Sequence, residues 1–279
     1  MKIMENKRFF AYGCSFTSFI WPTWADIIGC SFDQYFNYGK QGAGNVYIFN
    51  ALMETDQHHK ITKDDLVIIE WSCASREDRY VANNWITMGG AANYYNASEM
   101  KKYYDFRGFV LRDLALIKAA KSFLDYTKCE YYFLSMVPIL KNNVYEELFP
   151  TNTEDLSIFY KDILDTIKPS FIEVLGASIT EKPKILYDKI IDDSHPLPSQ
   201  HFDYISHVLP KFTSDKKMIS DNFDKRLANV WPNGLTHKNL DLSNLPSKKL
   251  QDKAISVLEK IVNNFPEIDK GKKYIKGRL

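Results

Sequence analysis

Residues 65–71, Asp-Leu-Val-Ile-Ile-Glu-Trp, constrain the fold more than any other stretch of the chain. Their near-continuous apolar middle fits a strand buried on both faces, as in a parallel sheet covered by helices. Other segments repeat the theme. Residues 8–13 form a short apolar run ending at a turn, and 34–38 are a second strand candidate. Residues 131–137 make a fourth strand, closed by Pro138, and 184–187 a short fifth one.

Helical signals alternate with these strands. Pro22 suits the first turn of a helix reaching Ile28, with Gly29 as its stop. The glycines at 42 and 44 lead into a helix carrying Val46, Phe49, Leu52 and Met53 at helical spacing. Residues 107–128 give the clearest helix, with a broad apolar face from Phe109 through Leu124. Residues 154–167 and 199–209 also read as helices. The alternation predicts an α/β fold, a parallel sheet with helices on both faces. In such sheets ligands sit beyond the carboxyl ends of the strands.

At 279 residues the chain is long enough for one large domain, or for one domain plus an appendage. The expected division is a main domain over 1–210 and a partly helical extension over 211–279. Residues 76–106, rich in aromatics and asparagine, read as an insertion, a lid or a substrate-facing element. In the extension, 247–264 reads as an amphipathic helix and 270–279 as a basic, loose end.

The net charge of +1, from 36 basic and 35 acidic residues, gives no electrostatic case for nucleic acid or an anionic membrane. No apolar stretch approaches the roughly 20 residues that span a bilayer. The first residues lack the apolar core of a signal peptide, so a cytoplasmic location is expected. The four cysteines contain no CxxC pair and are expected to be reduced and mostly buried. Metal-ligand spacing is absent. Oligomeric state is not readable.

Two segments carry the chemistry. The run Gly13-Cys14-Ser15-Phe16-Thr17 places a serine just past the first strand, behind a glycine that permits a tight turn. A serine hydroxyl becomes a nucleophile when a base takes its proton and the turn presents its oxygen. Strand alternation turns Cys14 toward the core. Far downstream, Asp192-Asp193-Ser194-His195-Pro196 supplies a histidine with acids close before it. Asp192 is preferred over Asp193 as the orienting acid, because a spacing of three wraps back more easily. His201 and His207 read as helix surface or packing.

Residues 37–45 join a strand end to a helix start and offer N–H groups, with Gly42 as an oxyanion donor. Residues 71–77 follow the third strand. Ser72 is a further candidate donor there. Arg76 is a candidate for a substrate anion or for pairing with Glu77 or Asp78. Asn45, Arg76 and Trp85 are the candidate substrate-binding residues.

These blocks resemble the SGNH/GDSL hydrolase family. The serine block matches Gly13 to Thr17, with cysteine where many members have aspartate. The glycine block matches Asn37 to Gly42, and the D-x-x-H block matches Asp192 to His195. The third block departs: Ser72-Cys73-Ala74-Ser75 stands where members carry G-x-N-D. Ser72, a backbone N–H, Asn83 or Asn84 are the available substitutes for that asparagine. The resemblance implies a three-layer α/β/α, flavodoxin-like fold, ester hydrolysis or acyl transfer, and no cofactor.

The expected activity is therefore serine-dependent ester hydrolysis, with Ser15 as nucleophile, His195 as base and Asp192 as orienter. Ser15 N–H, Gly42 N–H and Ser72 would hold the oxyanion. The expected partner is a small-molecule or glycan ester. Trp85, Tyr94, Tyr95, Tyr103 and Tyr104 are candidates to stack on sugar rings. An acyltransferase using the same site, or a non-catalytic glycan-binding or assembly protein, are the alternatives.

Overall fold

Six consecutive buried residues, Leu66–Trp71, form the central strand of the main sheet in a computed structural model. The structure describes residues 4–19, 21–29, 31–141, 152–176, 184–186, 189–213 and 235–236. Along the chain the elements are β1 (Met4–Tyr12), α1 (Trp24–Gly29), β2 (Phe32–Asn37), α2 (Asn45–His59), β3 (Leu66–Trp71), β4 (Arg76–Val81) and β5 (Asn84–Gly90). There follow α3 (Ala97–Tyr103), α4 (Phe106–Thr127), β6 (Glu130–Ser135), α5 (Glu154–Phe159), α6 (Lys161–Leu164) and α7 (Phe171–Leu175). The last are β7 (Lys184–Leu186), β8 (Lys189–Asp192), α8 (Pro198–Val208) and β9 (Leu235–Thr236).

The main sheet has the order β2-β1-β3-β6. β3 pairs in parallel with β1 (Phe9 to Leu66, Tyr12 to Ile69) and with β6 (Leu66 to Glu130, Trp71 to Ser135). This is the α/β class expected, a parallel sheet with flanking helices, in the strand order of flavodoxin-like folds. Burying each large aliphatic side chain of β3 contributes about 1.5–3 kcal/mol, so this strand anchors the core.

The strand expected over 184–187 forms as β7 (Lys184–Leu186), but not in the main sheet. A single parallel bridge joins Phe133 to Ile167, and Lys168 N–H donates to the Phe133 carbonyl at 2.8 Å. β7 pairs instead with β8, antiparallel, in a separate sheet of order β7-β8-β9. Three apolar-rich residues suit either sheet; a second strand two residues later makes the local hairpin the shorter connection.

The chain divides into two compact units. One takes in the described residues within 7–18 and 36–173, the other those within 4–6, 19–35 and 174–236. In the first, α2 packs on α4. The Asp105 carboxylate caps α4 by accepting from Arg107 N–H at 3.0 Å, and Lys128 ends it in the left-handed region at φ 58°. In the second, α1 packs on α8.

The expected insertion is a β4–β5 hairpin followed by a short 3-10 turn and α3. Its two-residue turn, Ala82-Asn83, has both φ values positive, at 50° and 62°, as a type I′ hairpin turn requires. The Asn96 side chain and Glu99 form a reciprocal capping box on α3.

Of the expected extension over 211–279, only 211–213 and 235–236 are described; the helix expected over 247–264 and the basic end over 270–279 lie outside the described residues. Among the described residues, no helix is long and apolar enough to cross a membrane.

Candidate active site

β1, β3 and β6 run in parallel, so the segments leaving them emerge at one edge of the sheet. Gly13 to Thr17 leaves β1 as a tight turn in which the Cys14 carbonyl accepts from Thr17 N–H at 3.0 Å and Ser18 N–H at 3.1 Å. Gly13 has a steric duty here. A Cβ on it would lie 2.0 Å from the Thr17 hydroxyl oxygen. That hydroxyl sits over Gly13 and donates to the buried Glu70 carboxylate of β3.

Ser15 is 5% exposed. Among the described residues of its unit, no group hydrogen-bonds to its hydroxyl or its N–H. Cys14 is core, as alternation predicts. Its Sγ lies 3.7 Å from Met136 Sδ. Burial pushes its thiol pKa up, with the charge of Arg76 acting the other way.

The glycine block is laced onto the serine turn. Tyr38 N–H donates to the Ala11 carbonyl at 2.8 Å, and Lys40 N–H to the Gly13 carbonyl at 3.0 Å. The Asn37 amide donates to the Thr17 carbonyl at 2.9 Å and accepts from Gly39 N–H at 2.9 Å. Gly42 follows at φ +71°, and a Cβ there would lie 2.3 Å from the Thr87 carbonyl oxygen. The β5 hairpin strand clamps this loop: Gly89 N–H donates to the Gly42 carbonyl at 3.0 Å, the Thr87 hydroxyl to the Gln41 carbonyl at 2.8 Å, and Lys40 Nζ to the Trp85 carbonyl at 2.7 Å. Among the described residues, no acceptor engages the Gly42 N–H.

The start of α2, by contrast, has no open donors for a ligand at Gly44 and Tyr47. The Asp78 carboxylate accepts from Gly44 N–H at 2.8 Å and from Tyr47 N–H at 2.9 Å. It thus caps the helix from the hairpin. Burial raises the pKa of Asp78, with those two N–H bonds opposing the shift.

Two expected site residues prove structural. Asn45 is fully buried and fastens three elements. Its oxygen accepts from Ser72 N–H at 2.7 Å; its amide donates to the Ser72 carbonyl at 3.1 Å and to Asp113 at 2.6 Å. It therefore reaches no substrate. Ser72 is corrected by the same geometry. Asn45 consumes its N–H, and its hydroxyl oxygen is buried beside the Cys14 thiol. The N–H is thus taken and the hydroxyl fully buried. Asn83 and Asn84 do not fold back either; both are exposed at the hairpin tip.

Asp113 is held by Arg112 Nε at 2.8 Å, and burial pushes its pKa up to about 6. Replacing Asn45 with alanine strips the partners from Ser72 and from one oxygen of Asp113. The expected loss is about 3–5 kcal/mol in urea unfolding; a loss under about 1 kcal/mol would contradict this placement.

Arg76 pairs with neither Glu77 nor Asp78. One guanidinium nitrogen donates to the Ala43 carbonyl at 2.9 Å, and the other lies 3.5 Å from Met136 Sδ. Trp85 is half-buried and packs edge-on against Tyr47 and Tyr80, with centroids at 5.8 and 5.3 Å. Of the other aromatics, Tyr103 is exposed, while Tyr94, Tyr95 and Tyr104 have partners. The Tyr94 hydroxyl donates to the Ile86 carbonyl at 2.8 Å and accepts from Met88 N–H at 2.9 Å. Arg79 lies over the Tyr94 and Tyr95 rings, and Tyr104 is buried.

The second unit carries the histidine. Asp193 Oδ1 accepts from His195 Nδ1 at 2.7 Å and from His195 N–H at 2.7 Å. The orienting acid is thus Asp193, not Asp192. A carboxylate two residues upstream closes a local turn onto both the backbone N–H and the ring, a geometry the three-residue count overlooked. Asp192 is the last residue of β8, paired with Thr236 of β9. Asp193 is fully buried.

The His195 ring stacks on Phe19, with centroids 3.9 Å apart and planes 21° apart. Trp21 packs edge-on against Phe19 and donates from Nε1 to the Pro196 carbonyl at 2.8 Å. In the tautomer protonated at Nδ1, the ring gives that N–H to the carboxylate and carries a lone pair at Nε2. His201 is buried and His207 exposed on α8, packing and surface as expected.

No protein-family model and no curated protein matches the chain. Two solved structures are similar. One, provisionally named an acylhydrolase, from Bacteroides fragilis NCTC 9343, shares 14% identity at a TM-score of 0.40, over 76% of this chain and 88% of its own. The other, provisionally named a platelet activating factor, from Streptococcus pneumonia, shares 15% identity at a TM-score of 0.38, over 76% of this chain and 86% of its own. At this level the likeness decides neither activity nor substrate.

Proposed function

We propose that the chain is a serine-dependent ester hydrolase of the SGNH/GDSL type. The observation that carries this reading is the buried Asp193 carboxylate bonded to His195 Nδ1 at 2.7 Å. A histidine held through one nitrogen by a buried acid, and stacked on an aromatic ring, is built to accept a proton at the other nitrogen. The second support is the Ser15 turn, seated on a loop whose Gly42 is the one residue type that fits.

In this reaction Ser15 Oγ bonds to the acyl carbon while its proton passes to His195 Nε2. The negative charge of the tetrahedral intermediate falls on the former carbonyl oxygen, facing the N–H groups of Ser15 and Gly42. The C–O bond to the alcohol then breaks, and the leaving oxygen takes the proton from His195. Water, deprotonated by the same imidazole, releases the acid and restores Ser15. Asp193 keeps the tautomer and stabilises the imidazolium.

The test is turnover of short-chain esters by wild type and Ser15→Ala. Wild type is expected to exceed the variant by at least about 10⁴-fold in kcat. Equal turnover by two folded proteins would overturn the assignment. A wild type inert to esters would favour a non-catalytic binding role.

A further inference from the structure

Resting on that reading, we infer that Arg76 supplies the third oxyanion donor, in place of the asparagine that Ser72-Cys73-Ala74-Ser75 lacks. The neutral side-chain donors of the segment after β3, Ser72, Cys73 and Ser75, are all buried. Asn45 takes the Ser72 N–H, the Ser72 hydroxyl is fully buried, and Asn45 itself is locked in the core. The next polar residue along the chain is Cys73, whose Sγ lies 3.0 Å from the Ser75 hydroxyl, both buried. Arg76 follows.

Its guanidinium reaches the carbonyl of Ala43, the residue after Gly42, at 2.9 Å. Its other terminal nitrogen lies 3.5 Å from Met136 Sδ, which in turn lies 3.7 Å from the Sγ of Cys14, the residue before Ser15. The cation therefore touches the residue after Gly42 directly and approaches the residue before Ser15 through Met136. Gly44 makes room for it, since a Cβ there would lie 2.9 Å from Arg76 Cβ.

The charge balance points the same way. Arg76 is half-buried, and among the described residues no carboxylate forms a direct ion pair with it; the Asp78 charge acts on it without a hydrogen bond. Glu77 lies 3.7 Å from Arg112 instead, and the Asp78 oxygens take the α2 N–H groups. A guanidinium has five N–H donors, and one carbonyl and one thioether leave most of them uncommitted. A half-buried cation with no direct ion pair gains from an anion that forms only during reaction, which is the condition for lowering a barrier and not merely for binding.

The experiment compares wild type, Ser15→Ala, Arg76→Ala and Arg76→Lys on a neutral ester, p-nitrophenyl acetate, with thermal melts to confirm folding. Arg76→Ala is expected to lose about 100- to 1000-fold in kcat with KM within about threefold, the loss typical of a missing oxyanion donor. Added methylguanidinium is expected to restore part of the rate, while sodium chloride at equal ionic strength is not. Arg76→Lys, which keeps the charge but not the fork, is expected to lose at least about tenfold.

Ser15-dependent turnover that Arg76→Ala leaves within threefold would overturn the assignment of Arg76 alone. So would a loss confined to KM for anionic esters, which would put the cation on a substrate charge instead. A rate loss that methylguanidinium fails to rescue, matched by a lower melting temperature, would make the residue structural. Absence of Ser15-dependent turnover in wild type would overturn the parent reading and this assignment together.

Discussion

Asp193→Asn is expected to lower kcat by about 10⁴-fold, while Asp192→Asn leaves it within about threefold. The two residues are neighbours with the same side chain, so only their geometry separates them. Asp193 holds both the N–H and the Nδ1 of His195 at 2.7 Å. Asparagine is nearly isosteric and keeps the turn. Its Oδ1 can still accept from both donors, but it carries no negative charge. The imidazolium that forms as serine gives up its proton then lacks its stabilising carboxylate, and such substitutions in triads of this kind lose activity on this scale. Steady-state rates on one ester decide it, with circular dichroism to confirm folding. A large loss for Asp192→Asn and none for Asp193→Asn would refute the pairing.

Gly42→Ala is expected to damage both stability and turnover. Two separate effects oppose a side chain there. The backbone sits at φ +71°, which costs a residue with a Cβ about 1–2 kcal/mol. The new methyl would also lie 2.3 Å from the Thr87 carbonyl oxygen, so the loop or the hairpin must move. The expected outcome is a loss of about 2–4 kcal/mol in unfolding free energy and of about 100- to 1000-fold in kcat, as one backbone donor leaves its position.

Gly89→Ala is the control. Its φ is +85°, yet the nearest atom to a Cβ is the Asn93 amide nitrogen at 3.5 Å. It shares the strain and lacks the clash, so about 1 kcal/mol should be lost with kcat nearly intact. If both variants lose turnover alike, steric displacement of the Gly42 loop is not the cause.

Much of the sheet was legible because its strands announce themselves. The run Leu-Val-Ile-Ile of β3 and the helical stripe of α4 report burial through composition and period alone. The hairpin of β4 and β5 was not legible. Its turn is Ala82-Asn83, with positive φ at an alanine, and lacks the Asn-Gly or Asp-Gly pair that marks such turns. Segment 184–186 was legible as a strand, but nothing in three residues says which sheet will take it.

The site divides in the same way. Ser15, Gly42 and His195 stand out because a turn, a glycine and an acid-flanked imidazole have local signatures. Ser72 and Asn45 misled because tertiary partners decide their roles. Asn45 looks like a polar residue at a helix start, and only the arrival of Ser72 and Asp113 makes it a core fastener. The capping of α2 by Asp78 has no sequence signal either, since its donors lie 31 and 34 residues away. The choice of Asp193 had a signal, the Asx-type turn closed over two residues, which counting wrapped turns does not weigh.

Covalent trapping tests the central claim most directly. Incubation with a fluorophosphonate, followed by proteolysis and mass spectrometry, should place one phosphonyl adduct on the peptide carrying Ser15, and fragmentation should locate it at that residue. The adduct should vanish in Ser15→Ala and form far more slowly in Asp193→Asn. An adduct on another serine, or labelling that persists undiminished in Ser15→Ala, would contradict the account.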